Sequence, residues 1–293
     1  MIGDYDYSNI IKNLGDIQAE LNFPIGQKTR YKTGGNCSLA VFPKSESEFK
    51  KAVEVLKNAC PYETIGQGTN LLVSDSGFDG AVILTERMVE TRQSGNLYIA
   101  ESGVKLSAVI KDMALNSLGG LEFAVGIPAS VGGAVCMNAG AYGKSISDCV
   151  RYVVSSEGTF SKKDCKFGYR TSRFLEDKTP IIKVCFSFTP TEFDVSEEKI
   201  KNYTNMRRNP KGKSCGSVFR NEGYFAGRVI DECNLKGKRV GGAKVSTEHA
   251  NFIIADDIAT SNDIYRLITL IKEEVYLKKQ IKLSEELTYL GKF

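Results

Sequence analysis

The sequence predicts an α+β protein made of more than one lobe, and three observations carry that expectation. The chain has 293 residues, more than the roughly 250 that a single hydrophobic core fills comfortably. Its apolar runs are short and closely spaced, with helical patterns between only some of them, unlike the regular alternation of a doubly wound sheet. A break over Thr189–Ser196 separates a strand-rich first part from a helix-richer second part.

The elements follow in order. Leu39–Phe42 reads as a strand, and Ser45-Glu46-Ser47-Glu48 has the spacing of a capping box. That box opens a helix carrying Phe49, Val53 and Leu56 at helical spacing up to Asn58, with further short strands at Thr64–Ile65, Leu71–Val73 and Val82–Leu84. A strand at Leu97–Ala100, a helix near Leu106–Leu115, a glycine-rich segment and strands at Val150–Ser155 and Ile181–Phe188 complete the first part. Beyond the break, helices are expected at Glu197–Met206 and Ala226–Cys233, and strands at Lys244–Val245 and Phe252–Ile254. The clearest helix is Ser261–Lys282, with Ile264, Leu267, Ile268, Ile271 and Val275 on one face, followed by a strand at Leu283–Leu290. There is no internal repeat.

Bulk properties exclude several functions. Thirty-nine basic and 35 acidic residues are spread along the chain, far from the clustered excess of a nucleic-acid binder, although the balance suits a phosphorylated small molecule. Residues Met1–Phe23 include Asp4, Asp6, Lys12, Asp16 and Glu20, so they have neither the basic nor the apolar region of a secretory signal. No stretch approaches the ~20 apolar residues of a membrane span, and a cytoplasmic protein is expected. The eight cysteines are scattered without a Cys-x-x-Cys pair and His249 is the only histidine, a pattern of free thiols and not of structural zinc.

Two glycine-bearing loops follow apolar strands. In Ile65-Gly66-Gln67-Gly68-Thr69-Asn70-Leu71-Leu72, the glycines let backbone N–H groups approach an anion, although a lone Gly-x-Gly is also an ordinary turn. Leu71 stands where a dinucleotide-binding fingerprint needs its third glycine, and no helical pattern follows. The second loop, Gly119 to Gly143, holds Gly120, Gly126, Gly132, Gly133 and Gly140 as well, with few charges. Such a density costs conformational entropy and argues for a ligand. Neither Gly143-Lys144-Ser145 nor Gly212-Lys213-Ser214 completes a P-loop, because Asn138 and Arg207 occupy the upstream glycine position.

Several ordered blocks now resemble one family. They are Tyr31-Lys32-Thr33-Gly34-Gly35, Gly66 to Asp75, Gly119 to Gly143, Phe167-Gly168-Tyr169-Arg170-Thr171-Ser172-Arg173-Phe174, Gly216-Ser217-Val218-Phe219-Arg220-Asn221, Leu235-Lys236-Gly237 through His249-Ala250-Asn251-Phe252, and Leu283 to Gly291. Across residues 24 to 291 the chain is similar to the UDP-N-acetylenolpyruvoylglucosamine reductase (UDP-N-acetylmuramate dehydrogenase) family. Its compact third part resembles the shorter subclass that lacks a tyrosine-bearing substrate loop.

The resemblance implies an FAD-binding lobe of the para-cresol methylhydroxylase type plus a smaller C-terminal α/β substrate lobe. The implied divisions are 1–55 and 56–190 for the FAD-binding regions, 196–282 for substrate, and 283–293 for a strand returning to the site. FAD, held non-covalently because the one histidine lies in the third lobe, would be met by Thr33, Gly34, Gly66, Gln67, Gly68, Thr69, Asn70, Gly126, Ile127, Pro128, Ser130, Gly132, Gly133, Ala134, Asn138, Ala139 and Gly140. Both glycine loops would supply backbone donors to its pyrophosphate.

The implied reaction uses NADPH and reduces the enolpyruvyl ether of a UDP-sugar to a lactyl ether, with hydride from flavin N5. Ser217 takes the proton donor's place, and Arg170 offers a rigid guanidinium fork to the developing enolate. Glu286 takes the family's second acidic position. Its neighbour Glu285 would point the other way on a strand, so only one of the two can face the site. Cys215 has no histidine base near it in sequence and reads as an inert buried thiol. The basic residues Arg207, Arg208, Lys211, Lys213, Lys236, Lys238 and Arg239 mark a region for the diphosphate, not individual ligands. Ala129, Cys136 and Glu222 depart from the family's usual residues. A flavin oxidase of the same fold and a non-catalytic nucleotide-binding protein remain the competing readings.

Overall fold

The computed structural model describes residues 5–207 and 209–293, which form an α+β molecule of three packed parts. The first is a four-stranded sheet in the order Gln18–Phe23, Cys37–Phe42, Phe78–Leu84, Tyr62–Ile65. The pair Gln18–Phe23 and Cys37–Phe42 is antiparallel and the other two pairs are parallel. Alternation along the strands decides the two faces. Leu39, Val41, Ala81 and Ile83 pack beneath helices Tyr7–Leu14 and Glu46–Lys57. Ala40, Phe42, Val82 and Leu84 join Ile25, Ile65 and Val73 on the reverse face.

The cap of helix Glu46–Lys57 differs slightly from the expected box. Ser45 Oγ accepts from the Glu48 amide at 3.2 Å, but the Glu48 carboxylate takes the Lys44 amide at 2.9 Å, one residue upstream of the box position.

The second part is an antiparallel five-stranded sheet ordered Gly158–Ser161, Val150–Ser155, Ile181–Ser187, Leu97–Glu101, Thr91–Ser94. Helices Leu106–Leu115 and Val131–Cys136 bury Val109, Met113, Val131 and Val135 in its core. The third part packs helix Ala226–Glu232 and the long helix Ser261–Lys279 on the strands Arg239–Val240, Ala243–Val245 and Ile253–Ala255.

Three expectations change. The helix expected at Glu197–Met206 begins at Phe193, inside the expected break. It packs on the second part, because buried Ser196 donates to the Leu118 carbonyl at 3.3 Å and to Glu122 at 3.4 Å. The expected boundary at 55/56 falls within helix Glu46–Lys57, and the sheet beneath that helix runs on to Leu84. The final strand shortens to Thr288–Leu290, which pairs in parallel with Leu71–Val73.

The third part is pinned to the first by its long helix. Asp75 accepts the amides of Ser261 and Asn262 at 2.9 and 2.8 Å, and Ser261 Oγ donates to Thr33 Oγ1 at 2.9 Å. A carboxylate at a helix N-terminus satisfies open amides and opposes the positive end of the dipole.

Candidate functional site

The three parts meet around a cavity of about 610 Å³, a size typical of ligand sites. Arg170, Ser217 and Glu286 all line it. Each comes from a different segment, and backbone hydrogen bonds tie those segments together.

Arg170 stands at the tip of a tight turn in which Gly168 and Thr171 exchange backbone bonds of 3.0 and 3.4 Å. Its φ of 53° is left-handed, a conformation an L residue holds only when its surroundings impose it. Two contacts impose it here: Nε donates to Glu286 Oε1 at 2.7 Å and NH2 donates to the Gly140 carbonyl at 2.9 Å. Gly140 makes the approach possible, because a Cβ there would lie 3.2 Å from Arg170 NH1 and 2.5 Å from the Lys144 carbonyl. With 20% and 17% of the two side chains exposed, water screens the Arg170–Glu286 pair weakly. Burial pushes the Glu286 carboxyl above its ordinary value, against the opposing pull of the Arg170 guanidinium.

Glu286 is fixed at its backbone on both sides. Its amide donates to the Val218 carbonyl at 2.7 Å, and its carbonyl accepts from Asn70 Nδ2 at 2.8 Å. This places the glutamate beside Ser217 and the first glycine loop together. Glu285 points elsewhere: it takes Lys272 Nζ at 2.7 Å and the Tyr289 hydroxyl. The two neighbouring glutamates therefore face opposite ways, although residue 285 forms only an isolated bridge to Phe219 and not a continuous strand. Ser217 bridges to Phe252 and is half-buried. Cys215 is buried, its thiol donates to the Leu71 carbonyl at 3.5 Å, and burial pushes its pKa up to about 12.

Of the residues expected at FAD, Gly66, Gln67, Thr69, Asn70, Ile127, Pro128, Ser130, Gly132, Gly133, Ala134, Ala139 and Gly140 line the cavity. The other five sit behind it. Thr33 holds Ser261, Gly34 lies against the Val73 carbonyl and Gly68 against that of Lys28. Gly126 leaves room for Arg207, whose Cδ would be 2.7 Å from a Cβ there. Asn138 binds the Gly168 carbonyl at 2.7 Å and the Ser147 amide at 3.2 Å, steadying the turn that carries Arg170.

The expectation that both loops supply backbone donors narrows in the second loop to its stretch before the helix, where the amides of Ala129 and Ser130 line the cavity and have no protein acceptor among the described residues. The amides of Val131, Gly132, Gly133 and Ala134 are already bound to Val104, Ser102 and Ser130. Those of Gln67, Gly68, Thr69 and Asn70 have no protein acceptor among the described residues. Thr64, Thr85, Ser102 and Thr179, all on the cavity wall, also carry buried hydroxyls with no partner among the described residues. Open amides and hydroxyls around a large hollow fit a flavin dinucleotide, since buried polar groups without partners are costly unless a ligand meets them.

Of the basic region, Arg207 lines the cavity, while Lys213 is held by Asp257 at 2.7 Å, Lys236 by Asp231 at 2.7 Å and Arg239 by Asp256 at 3.3 Å. Arg208 lies outside the described residues. Sequence reasoning assigned no role to Tyr289 or His249, which also line the cavity. The single histidine in the chain was the available signal for His249.

Comparison with known proteins identifies the fold and the family. Residues 208–290 match the family "UDP-N-acetylenolpyruvoylglucosamine reductase, C-terminal domain", and residues 37–159 match "FAD binding domain". UDP-N-acetylenolpyruvoylglucosamine reductase of Caldicellulosiruptor bescii is 38% identical over 98% of this chain and 95% of its own. That of Clostridium botulinum strain Langeland is 36% identical over 97% and 98%. The crystal structure of UDP-N-acetylenolpyruvylglucosamine reductase from Thermus caldophilus superposes with a TM-score of 0.82 at 30% identity, covering 94% of this chain and 99% of that one. With agreement along nearly the whole length, in sequence as in fold, the chain belongs to the UDP-N-acetylenolpyruvoylglucosamine reductase family.

Proposed function

We propose that the protein reduces UDP-N-acetylglucosamine enolpyruvate to UDP-N-acetylmuramate, an oxidoreductase step of peptidoglycan precursor synthesis in the cytoplasm. The observation that carries the reading is Arg170, forked between Glu286 and the Gly140 carbonyl on the wall that also bears Ser217. FAD, when bound, supplies the hydride that it receives from NADPH. The turn Gly66–Asn70 holds its pyrophosphate with unspent amides, and residues Ile127–Gly140 shape the space beside it.

Arg170 binds the substrate carboxylate and meets the enolate charge as it grows, at a place where weak screening makes a fixed cation effective. Glu286 orients the guanidinium. Held there, it helps Arg170 to polarise the developing enol. Ser217 delivers the proton to the carbon beside the carboxylate. Arg207 is the basic residue that meets the UDP diphosphate. Residues 283–293 return across the first part to bring Glu286 to the site, and the first lobe extends to about Leu84.

Anaerobic mixing tests the reading. NADPH should bleach the yellow protein, and the enolpyruvyl sugar nucleotide should restore the colour. Failure of the sugar nucleotide to reoxidise the flavin rejects the substrate assignment. Ser217→Ala should spare bleaching and slow reoxidation by about 10²-fold, and equal loss of both half-reactions would argue against its acid role.

A further inference from the structure

His249 lies in a turn whose bonds are inward. Ser246 Oγ accepts the amides of Glu248 and His249 at 3.1 and 3.3 Å, and the Phe252 amide donates to the His249 carbonyl at 3.0 Å. The imidazole takes part, because the Asn251 amide donates to its Nδ1 at 3.2 Å. A backbone N–H can only donate, so Nδ1 carries no proton and the ring is neutral with its hydrogen on Nε2.

Asn251 is itself a clamp. Buried, it accepts the Phe219 amide at 2.9 Å, donates to the Phe219 carbonyl at 2.8 Å, and takes the Val218 amide on its own carbonyl at 2.9 Å. These bonds fix the two residues after Ser217, and the Val218 carbonyl then receives the Glu286 amide. One imidazole lone pair thus stands at the base of a chain of contacts that reaches both Ser217 and Glu286.

The packing around the ring is close. A Cβ on Gly227 would lie 3.0 Å from Cε1, and the Phe252 ring meets the imidazole edge-on at 4.9 Å. Lys236, held by Asp231, is the nearby cation, and on the helix that carries Gly227, Arg228 is held by Glu232. Burial first, then Lys236, keeps the ring below the ordinary histidine value.

We propose that His249 is a positioning residue for Ser217, which works only while its Nδ1 is free to accept the Asn251 amide. A proton on Nδ1 turns the acceptor into a donor and loosens residues 217–219. The fold favours the neutral ring, so the clamp holds near neutral pH and is lost as pH falls through the lowered histidine value. The inference rests on reading Ser217 as the proton donor.

Two measurements test it on the FAD-loaded protein. Because the chain has one histidine, ¹⁵N-histidine labelling reports a single imidazole, and it should show the Nε2–H form with titration below about pH 6.5. The Nδ1–H form, or titration at or above that value, overturns the proposal. In kinetics, reoxidation by the sugar nucleotide should fall on the acid side, where Glu286 also titrates. His249→Gln separates the two groups, since its amide oxygen accepts at every pH. It should lose the histidine limb at a cost of about threefold in rate, whereas His249→Ala should run about tenfold below the wild-type plateau near neutral pH, also without a histidine limb, and keep reduction by NADPH. An unchanged acid limb in His249→Gln, or equal loss of both half-reactions, overturns the proposal. Normal reoxidation by Ser217→Ala sinks the Ser217 reading alone and leaves the tautomer result standing.

Discussion

The two glycine loops look alike in sequence and differ in what they have left to offer. Among the described residues, the Gly66–Asn70 turn has two glycines and four amides without a protein acceptor. The far richer Gly119–Gly143 segment keeps such amides at Gly126, Ala129 and Ser130, and has used those at the start of its helix on Val104, Ser102 and Ser130. Glycine in the first loop allows a turn whose donors point outward. In the second it lets backbone pack against neighbours: a Cβ at Gly132 would lie 2.8 Å from Ser102 Cβ, and one at Gly140 would crowd Arg170. Glycine density therefore measures closeness of approach and not the number of donors on offer.

The sharpest test concerns what the second segment holds. Arg170→Lys keeps the charge but cannot span Glu286 and the Gly140 carbonyl together. Reoxidation by the sugar nucleotide should fall about 10²–10³-fold, with flavin reduction nearly spared, as read by stopped-flow absorbance. Comparable loss in both half-reactions would mean that the segment serves the flavin and not this side chain.

The loops touch at Gly66, where a Cβ would lie 2.0 Å from Ser130 Oγ, the cap of helix Val131–Cys136. Gly66→Ala should cost about 1–3 kcal/mol in urea unfolding. Adding Ser130→Gly should recover most of that, since glycine at a cap costs only about a few tenths of a kcal/mol. Strict additivity would place the two loops farther apart than described.

Hydrogen exchange compares the donors directly. Amides 67–70 should exchange freely without cofactor and slow by about tenfold or more on adding FAD, whereas amides 131–134 should be protected in both states. Matching behaviour of the two sets would erase the distinction. The smallest effect is at Cys136, which ends the second segment's helix: burial pushes its thiol up to about 12. Its thiolate fraction near pH 8 is then about 10⁻⁴. Iodoacetamide should leave this cysteine unmodified in the folded protein, as peptide mass analysis can check.

Much of the fold was legible because burial imposes periodicity. Helices Leu106–Leu115 and Ser261–Lys279 and strands Val150–Ser155 and Ile181–Ser187 stand within a few residues of expectation, since each presents an apolar face to a core. Strands Thr91–Ser94 and Gly158–Ser161 went unread. They lie at the edges of their sheet and are mostly exposed, so no apolar alternation marks them. The helix Val131–Cys136 was hidden by its glycines, which weaken any helical signal. In the site, Arg170, Ser217 and Glu286 were found through ordered motifs, but the His249–Asn251 clamp joins side chains to backbone groups, some of them in another segment, and the block His249-Ala250-Asn251-Phe252 does not by itself name those partners.

By itself the sequence determined the fold class, the family, and that two glycine loops and three dispersed polar residues belong together, because these depend on residue type, order and spacing. Tertiary structure alone decided which amides of the two glycine loops stay free, which partners hold Glu285 and Glu286, and that Phe193–Met206 belongs to the middle part. Those outcomes depend on where each N–H and carboxylate finds its partner, and the partners lie far apart in the sequence, 216 residues for Asn70 and Glu286. Local sequence specifies the donors and acceptors; only the packed chain specifies which of them are already taken.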